Sequence, residues 1–239
     1  VILVQDSFEA LYEIAKYQRS RSKAKIIALT GSVGKTTIKD MLKSVFSNIG
    51  STHATAGNYN NHYGLPLTIC NLKKDHDFAI LEMGMNHAGE IRPLSMLAKP
   101  DIAIISKIAM AHIGNFNNEE EIALAKSEIF SGLSANSIAI LNRDDKFFNF
   151  LEHEAANSAI NKDNILSFGI SENADYKINN IDIKSANYSE VTLKAAGKII
   201  NYGIACSNKT VIFNSAIIAA CVDILTPNNL GALDAFNTY

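Results

Sequence analysis

A mostly parallel α/β sheet with helices on both faces is the fold class this sequence predicts, and three observations predict it. From Ile26 onward, short apolar runs alternate with longer stretches of helical spacing. The first run, 26–29, passes directly into Thr30-Gly31-Ser32-Val33-Gly34-Lys35-Thr36-Thr37, a glycine turn that opens a helix. After Gly169 the texture changes to short, partly alternating segments. Strands alternating with helices favour crossover connections and parallel pairing. The later segments add a small antiparallel hairpin or meander at the sheet's edge.

Each element has its own reason. Residues 6–17 carry Phe8, Leu11, Tyr12, Ile14 and Ala15 at helical spacing, and the basic run 19–25 reads as a linker into the sheet. Strands are expected over 26–29, 78–81, 102–106, 138–141 and 165–168, all short and rich in Ile, Ala, Leu and Phe. The intervening periodic stretches predict helices over 36–48, 89–97, 119–131 and 146–153. Residues 176–183, 190–195 and 198–203, with the turn Ala196-Gly197, supply the edge meander. An apolar helix then runs over 211–225, and 227–239 shows no element of its own.

Composition narrows the function. The 239 residues are 47% hydrophobic and 19% charged, which suits a folded domain, and a net charge of -2 gives no basis for non-specific nucleic-acid binding. No uninterrupted apolar stretch approaches a membrane span, and no export leader is read at the start. Cys70, Cys206 and Cys221 stand far apart in apolar contexts without zinc-site spacing. They are expected to be reduced core thiols, in a cytoplasmic setting.

The glycine turn carries the first chemistry. Glycines let the backbone approach oxyanions, successive N–H groups converge on them, and the helix dipole adds favourable potential. Lys35 is placed to reach the outer phosphates and Thr36 to offer a hydroxyl to a metal. The general phosphate-loop pattern asks for a further glycine where Leu29 stands, so a shorter T-G-x-x-G-K-T form has to be weighed. Ile80-Leu81-Glu82-Met83-Gly84 ends an apolar strand in a carboxylate, at the sheet edge where ligands gather. Glu82 is therefore a candidate Mg²⁺ ligand, set against an ordinary glutamate at a strand end. His112, in the loop after the 102–106 strand, can reach the same edge and ligate a second ion or hold its water, although a loop histidine is usually just polar.

Lys126 is the fourth candidate. Stepping about 100° per residue along the 119–131 helix puts it amid Ile122, Ala123, Ile129 and Phe130, with Glu120, Glu121 and Glu128 outside that face. Burial of an ammonium is costly unless it is paired or neutralised, or the chain snorkels to the rim. A depressed pKa makes the amine nucleophilic enough to capture CO₂ as a carbamate, an anionic metal ligand. The polar loop holding Asn58, Asn60 and Asn61 offers amides to substrate or phosphate, or is a plain turn. Asn214, inside an apolar helix, has the donor and acceptor that an adenine edge requires.

Taken in order, TGSVGKTT, GNYNNHYGLPL, LEMGMNHAGEI, the histidine of AHIGNF and IALAKSEIF resemble the Mur ligase family over nearly the whole chain. The EMGMN…GEI form and the asparagine loop resemble its D-alanyl-D-alanine-adding branch in particular. The family's short T-G-x-x-G-K-T loop also accounts for Leu29. The resemblance implies an ATP-driven amide ligase of peptidoglycan precursor synthesis. Its substrates would be ATP, a UDP-N-acetylmuramoyl-tripeptide and D-alanyl-D-alanine. It implies that Thr30 to Thr37 hold the phosphates and that Lys35 clamps the outer ones. Thr36 and Glu82 would bind one Mg²⁺, and His112 and a carbamylated Lys126 the second. Asn214 would contact adenine, and Asn58, Asn60 or Asn61 the substrate.

Family members also carry a UDP-sugar-binding domain before this unit and an amino-acid-binding domain after it. The expected division is therefore 1–24 as helix and linker from the first, 25–226 as the central ATP-binding domain, and 227–239 as the start of the last. Residues 1–239 alone are expected to bind nucleotide weakly and ligate little. The rival readings are another muramyl or folylpolyglutamate-synthase-like ligase, a nucleotide-binding remnant without activity, and a P-loop GTPase. The last expects a guanine-reading N-K-x-D segment, which is not seen.

Overall fold

β1 (Lys25–Thr30) lies inside a nine-stranded sheet ordered β2-β3-β1-β4-β5-β6-β7-β8-β9. The computed structural model describes residues 3–110 and 115–238. β2 (Thr52–Ala54), β3 (Phe78–Glu82), β4 (Ile102–Ile105), β5 (Ile138–Asn142) and β6 (Ile165–Gly169) all run parallel to β1. β7 (Tyr176–Ser185) joins β6 in parallel through Tyr176 and Lys177, then pairs antiparallel with β8 (Tyr188–Ala195), which pairs with β9 (Lys198–Ile204). The meander is thus a continuation of the main sheet.

Alternation along β1 sorts two cores. Ile26 and Ala28 face one layer with α1 (Ser7–Arg21), α3 (Gly64–Cys70), α4 (Ile91–Ala98), α5 (Glu119–Ser127) and α6 (Phe148–Ala156). Ile27 and Leu29 face the other, with α2 (Lys35–Ser47) and α7 (Lys209–Leu225). Strands buried on both faces read as continuous apolar runs, which is why five of the six parallel strands, all but β2, are visible in the sequence.

The differences have local causes. The helix expected over 119–131 is α-helical to Ser127 and then tightens to a 3₁₀ segment, Glu128–Gly132. There it lies so close to α4 that a Cβ on Gly132 would sit 2.1 Å from the Ser95 carbonyl oxygen. The basic run read as a linker continues α1 to Arg21, where cations suit a helix C-terminus. Arg19 fixes it there, donating from Nε to the Ala98 carbonyl at 2.6 Å. β2 is too short to show a period, and α3 contains Gly64 and Pro66. Of the 227–239 stretch, a 3₁₀ run over Pro227–Thr238 buries Leu233 and Phe236, and the Phe236 carbonyl accepts from Ala205 N at 2.8 Å. Only Cys221 is a core thiol; Cys70 and Cys206 are half-buried, and all three are free. Among the described residues no helix is long and apolar enough to cross a membrane.

Candidate active site

The carboxyl ends of β1, β3 and β4 meet at one edge, because β1 pairs with both neighbours in register: Leu29 with Glu82, and Thr30 with Ile105. From this edge the chain leaves β1 through Gly31 (φ +151°) and Gly34 (φ +87°) into α2. The glycine at 31 is required by space. A Cβ there would lie 2.0 Å from Ser106 Oγ, which itself donates to the Val33 carbonyl at 2.8 Å. Gly34, without a side chain, makes no side-chain cap of its own to α2, and the positive helix end faces the cleft. Ser32 N donates to Lys107 O at 2.8 Å, so that amide holds the loop rather than facing the cleft. Thr30 Oγ1 and Ser32 Oγ are buried without a hydrogen-bond partner among the described residues. Lys35 Nζ donates back to the Gly31 carbonyl at 2.8 Å. Thr37 follows in the same first turn.

Glu82 closes on the loop. It is 2% exposed, and its Oε2 accepts from Thr36 Oγ1 at 3.3 Å. A hydroxyl and a carboxylate meeting there form a hard-oxygen pair of the kind Mg²⁺ takes. Asn60 Nδ2 donates to the other oxygen, Oε1, at 2.8 Å. Asn61 is engaged elsewhere: its Oδ1 accepts from Tyr63 N and Gly64 N at the start of α3, while Asn58 is exposed.

Lys126 comes from the opposite layer. It is 0% exposed, its Nζ has no hydrogen-bond partner among the described residues, and burial, aided by the charge of Lys35, lowers its pKa to about 7. Burial also lowers the Lys35 pKa, against the attraction of Glu82. A buried amine whose charge is disfavoured by burial and by Lys35 fits a group that turns negative by capturing CO₂. Two residues on, Glu128 braces the same segment: its carboxylate accepts from Gly89 N at 2.6 Å, Ile91 N at 3.1 Å and Arg92 N at 3.0 Å. It thereby caps α4, which follows Glu82 in the chain. His112 lies outside the described residues, and no cluster of three or more His, Cys, Asp or Glu side chains suited to a metal occurs among those described.

On the other side of the loop a cleft of about 290 Å³ runs between Gly34 and α7. Asn214 (7% exposed) borders it, with its Nδ2 3.0 Å from where a Gly34 Cβ would be. Asn142, Asp144, Lys209, Thr210 and Phe213 also line it, and sequence reasoning passed over all five. Asn142 stands at the carboxyl end of a predicted strand, so the edge rule applied to Glu82 would have found it. A larger cleft of about 990 Å³ lies beyond Lys126, past Ser127 and Glu128, and contains none of the loop.

A parallel α/β sheet whose first strand feeds a glycine turn at a helix N-terminus, with a carboxylate on the adjoining strand, defines a phosphate-loop nucleotide-binding protein. Residues 29–222 match the family model of the Mur ligase middle domain. The chain belongs to the Mur ligase family. A UDP-N-acetylmuramoyl-tripeptide–D-alanyl-D-alanine ligase of Rickettsia prowazekii is 46% identical over 178 residues, covering 74% of this chain and 39% of that protein. A crystal structure of MurF from Acinetobacter baumannii superposes with a TM-score of 0.87 at 30% identity, over 98% of this chain and 51% of that one. The MurF ligase of Thermotoga maritima in complex with ADP gives 0.79 at 28% identity, over 94% of this chain and 51% of that one. The chain therefore spans about half the length, or less, of these relatives.

Proposed function

We propose that this chain is the ATP-binding unit of a UDP-N-acetylmuramoyl-tripeptide–D-alanyl-D-alanine ligase working in the cytoplasm on peptidoglycan precursors. The observation that carries the reading is the contact between two elements: Thr36 on the phosphate loop donates to Glu82 on β3. Lys126, from the far layer, has its pKa lowered first by burial and then by the charge of Lys35. Residues 25–226 form that unit, and 1–24 and 227–239 are the connections to a sugar-nucleotide domain and an amino-acid domain.

In this reading Thr30 to Thr37 cradle the triphosphate of ATP, and Asn214 borders the base. The tripeptide's terminal carboxylate oxygen attacks the γ-phosphorus. The bond to ADP breaks, and an acyl phosphate forms. The amine of D-alanyl-D-alanine then attacks the acyl carbon, loses a proton and expels phosphate, leaving the new amide. Lys35 neutralises charge that gathers on the transferring phosphoryl oxygens. Thr36 and Glu82 are assigned to one Mg²⁺, and His112 with a carbamylated Lys126 to a second; bound there, the ions would screen phosphate charge. Asn58, Asn60 and Asn61 belong to the loop on the substrate side.

Two measurements test this. ADP binding to the 239-residue chain is expected and should disappear in Lys35→Ala; equal binding by both would overturn the loop assignment. In a form with the full length of its relatives, ATP-dependent joining of UDP-N-acetylmuramoyl-tripeptide to D-alanyl-D-alanine is expected. Joining of a different amine instead would overturn the substrate assignment while leaving the ligase class standing.

A further inference from the structure

The asparagine loop was expected to reach substrate or phosphate, but hydrogen bonds of Thr55 and Asn60 tie it to the end of β3. Thr55 Oγ1 accepts from Glu82 N at 3.0 Å, and the Asn60 carbonyl accepts from Gly84 N at 2.8 Å. Gly84 leaves room for this contact, since a Cβ there would lie 2.8 Å from Asn60 Oδ1. Loop and strand are thus laced on both sides of Glu82. The Asn60 amide then reaches the carboxylate itself. An ionised carboxylate only accepts, so the atom 2.8 Å from Oε1 must be the donor Nδ2. That leaves Oε2 turned to Thr36 Oγ1.

We propose that Asn60 is a positioning residue: it holds Glu82 Oε1 and so fixes Oε2 toward the Thr36 hydroxyl, where a divalent ion is to be held. This rests on the reading of Thr36 and Glu82 as metal ligands. The torsion that spins a carboxylate about its last bond is broad and soft. A single strong donor on one oxygen is therefore what selects an orientation, as an outer partner does for a metal ligand. Asn60 acts through Glu82 and need not touch nucleotide or substrate.

The test uses Mn²⁺ and ADP as probes on the 239-residue chain. ADP affinity is measured without metal, and Mn²⁺ affinity of the ADP-bound chain by electron paramagnetic resonance. Asn60→Ala should weaken Mn²⁺ binding about 10- to 100-fold and leave metal-free ADP binding within about twofold. Asn60→Ser, polar but too short to reach Oε1, should do the same and serves if the alanine variant folds poorly. Glu82→Gln is the reference. If it weakens Mn²⁺ binding and the Asn60 variants do not, the positioning role is overturned. Unchanged Mn²⁺ binding in Glu82→Gln overturns the metal reading beneath it. An equal loss of metal-free ADP binding in the Asn60 variants would show a general loop disturbance and also overturn the proposal.

Discussion

Replacing Lys126 with Met should make the bicarbonate-free protein more stable, by an amount that shrinks as pH rises. The amine is fully buried and has no hydrogen-bond partner among the described residues, and its pKa falls from 10.5 to about 7. The unfolded chain therefore binds more protons than the folded one between those values, and stability rises with pH across that window. At about 1.4 kcal/mol per unit, the lysine costs on the order of 5 kcal/mol below pH 7. The cost fades through pH 7 to 10.5. Methionine has similar length and no charge to desolvate. Urea denaturation of both proteins in CO₂-depleted buffer, from pH 6 to pH 9, measures the difference. The advantage of the Met variant should fall by roughly 2–3 kcal/mol over that range. Bicarbonate should stabilise only the parent, by converting the amine to an anion beside Lys35. A difference independent of pH would refute the argument, because it would mean that the amine is solvated or paired.

Further outcomes follow from single contacts. Gly31→Ala should cost about 2–4 kcal/mol of stability and abolish ADP binding, because its Cβ would meet Ser106 Oγ at 2.0 Å. Adding Ser106→Gly should recover part of the loss in thermal melting. Phe236→Ala should destabilise by about 3–5 kcal/mol in urea titration, since the ring is fully buried and lies 5.4 Å from that of Tyr202. Asn214→Ala should weaken ADP binding more than inorganic pyrophosphate binding, as read by calorimetry; an equal loss of both would place its effect on the loop through Gly34.

What the sequence revealed followed from how strong the local signals were. Five parallel strands were legible because burial on both faces leaves runs such as Ile26-Ile27-Ala28-Leu29, and the glycine turn because only glycine fits at 31. Lys126 was legible because helical periodicity places a residue on a face before any partner is known. The tail holding Phe236 was not, since its 3₁₀ run is interrupted at Asn229 and its burial depends on β9 and α2. The 3₁₀ end of the Lys126 segment depends likewise on Ser95, distant in sequence. Asn60 showed as polar loop chemistry, but its hydrogen bond to Glu82 spans 22 residues, and no local pattern encodes such a link.

The carboxylate of Glu128 joins two stretches of chain that carry the two proposed ligands, one leaving Glu82 and one carrying Lys126. Their separation is settled when the polypeptide folds, so an arriving ion need not gather them from a loose ensemble. Affinity that would otherwise be lost to freezing out motion is kept. Glu128→Ala, which cuts that tie and leaves β4 in place, should accordingly disturb ion binding more than the sheet itself.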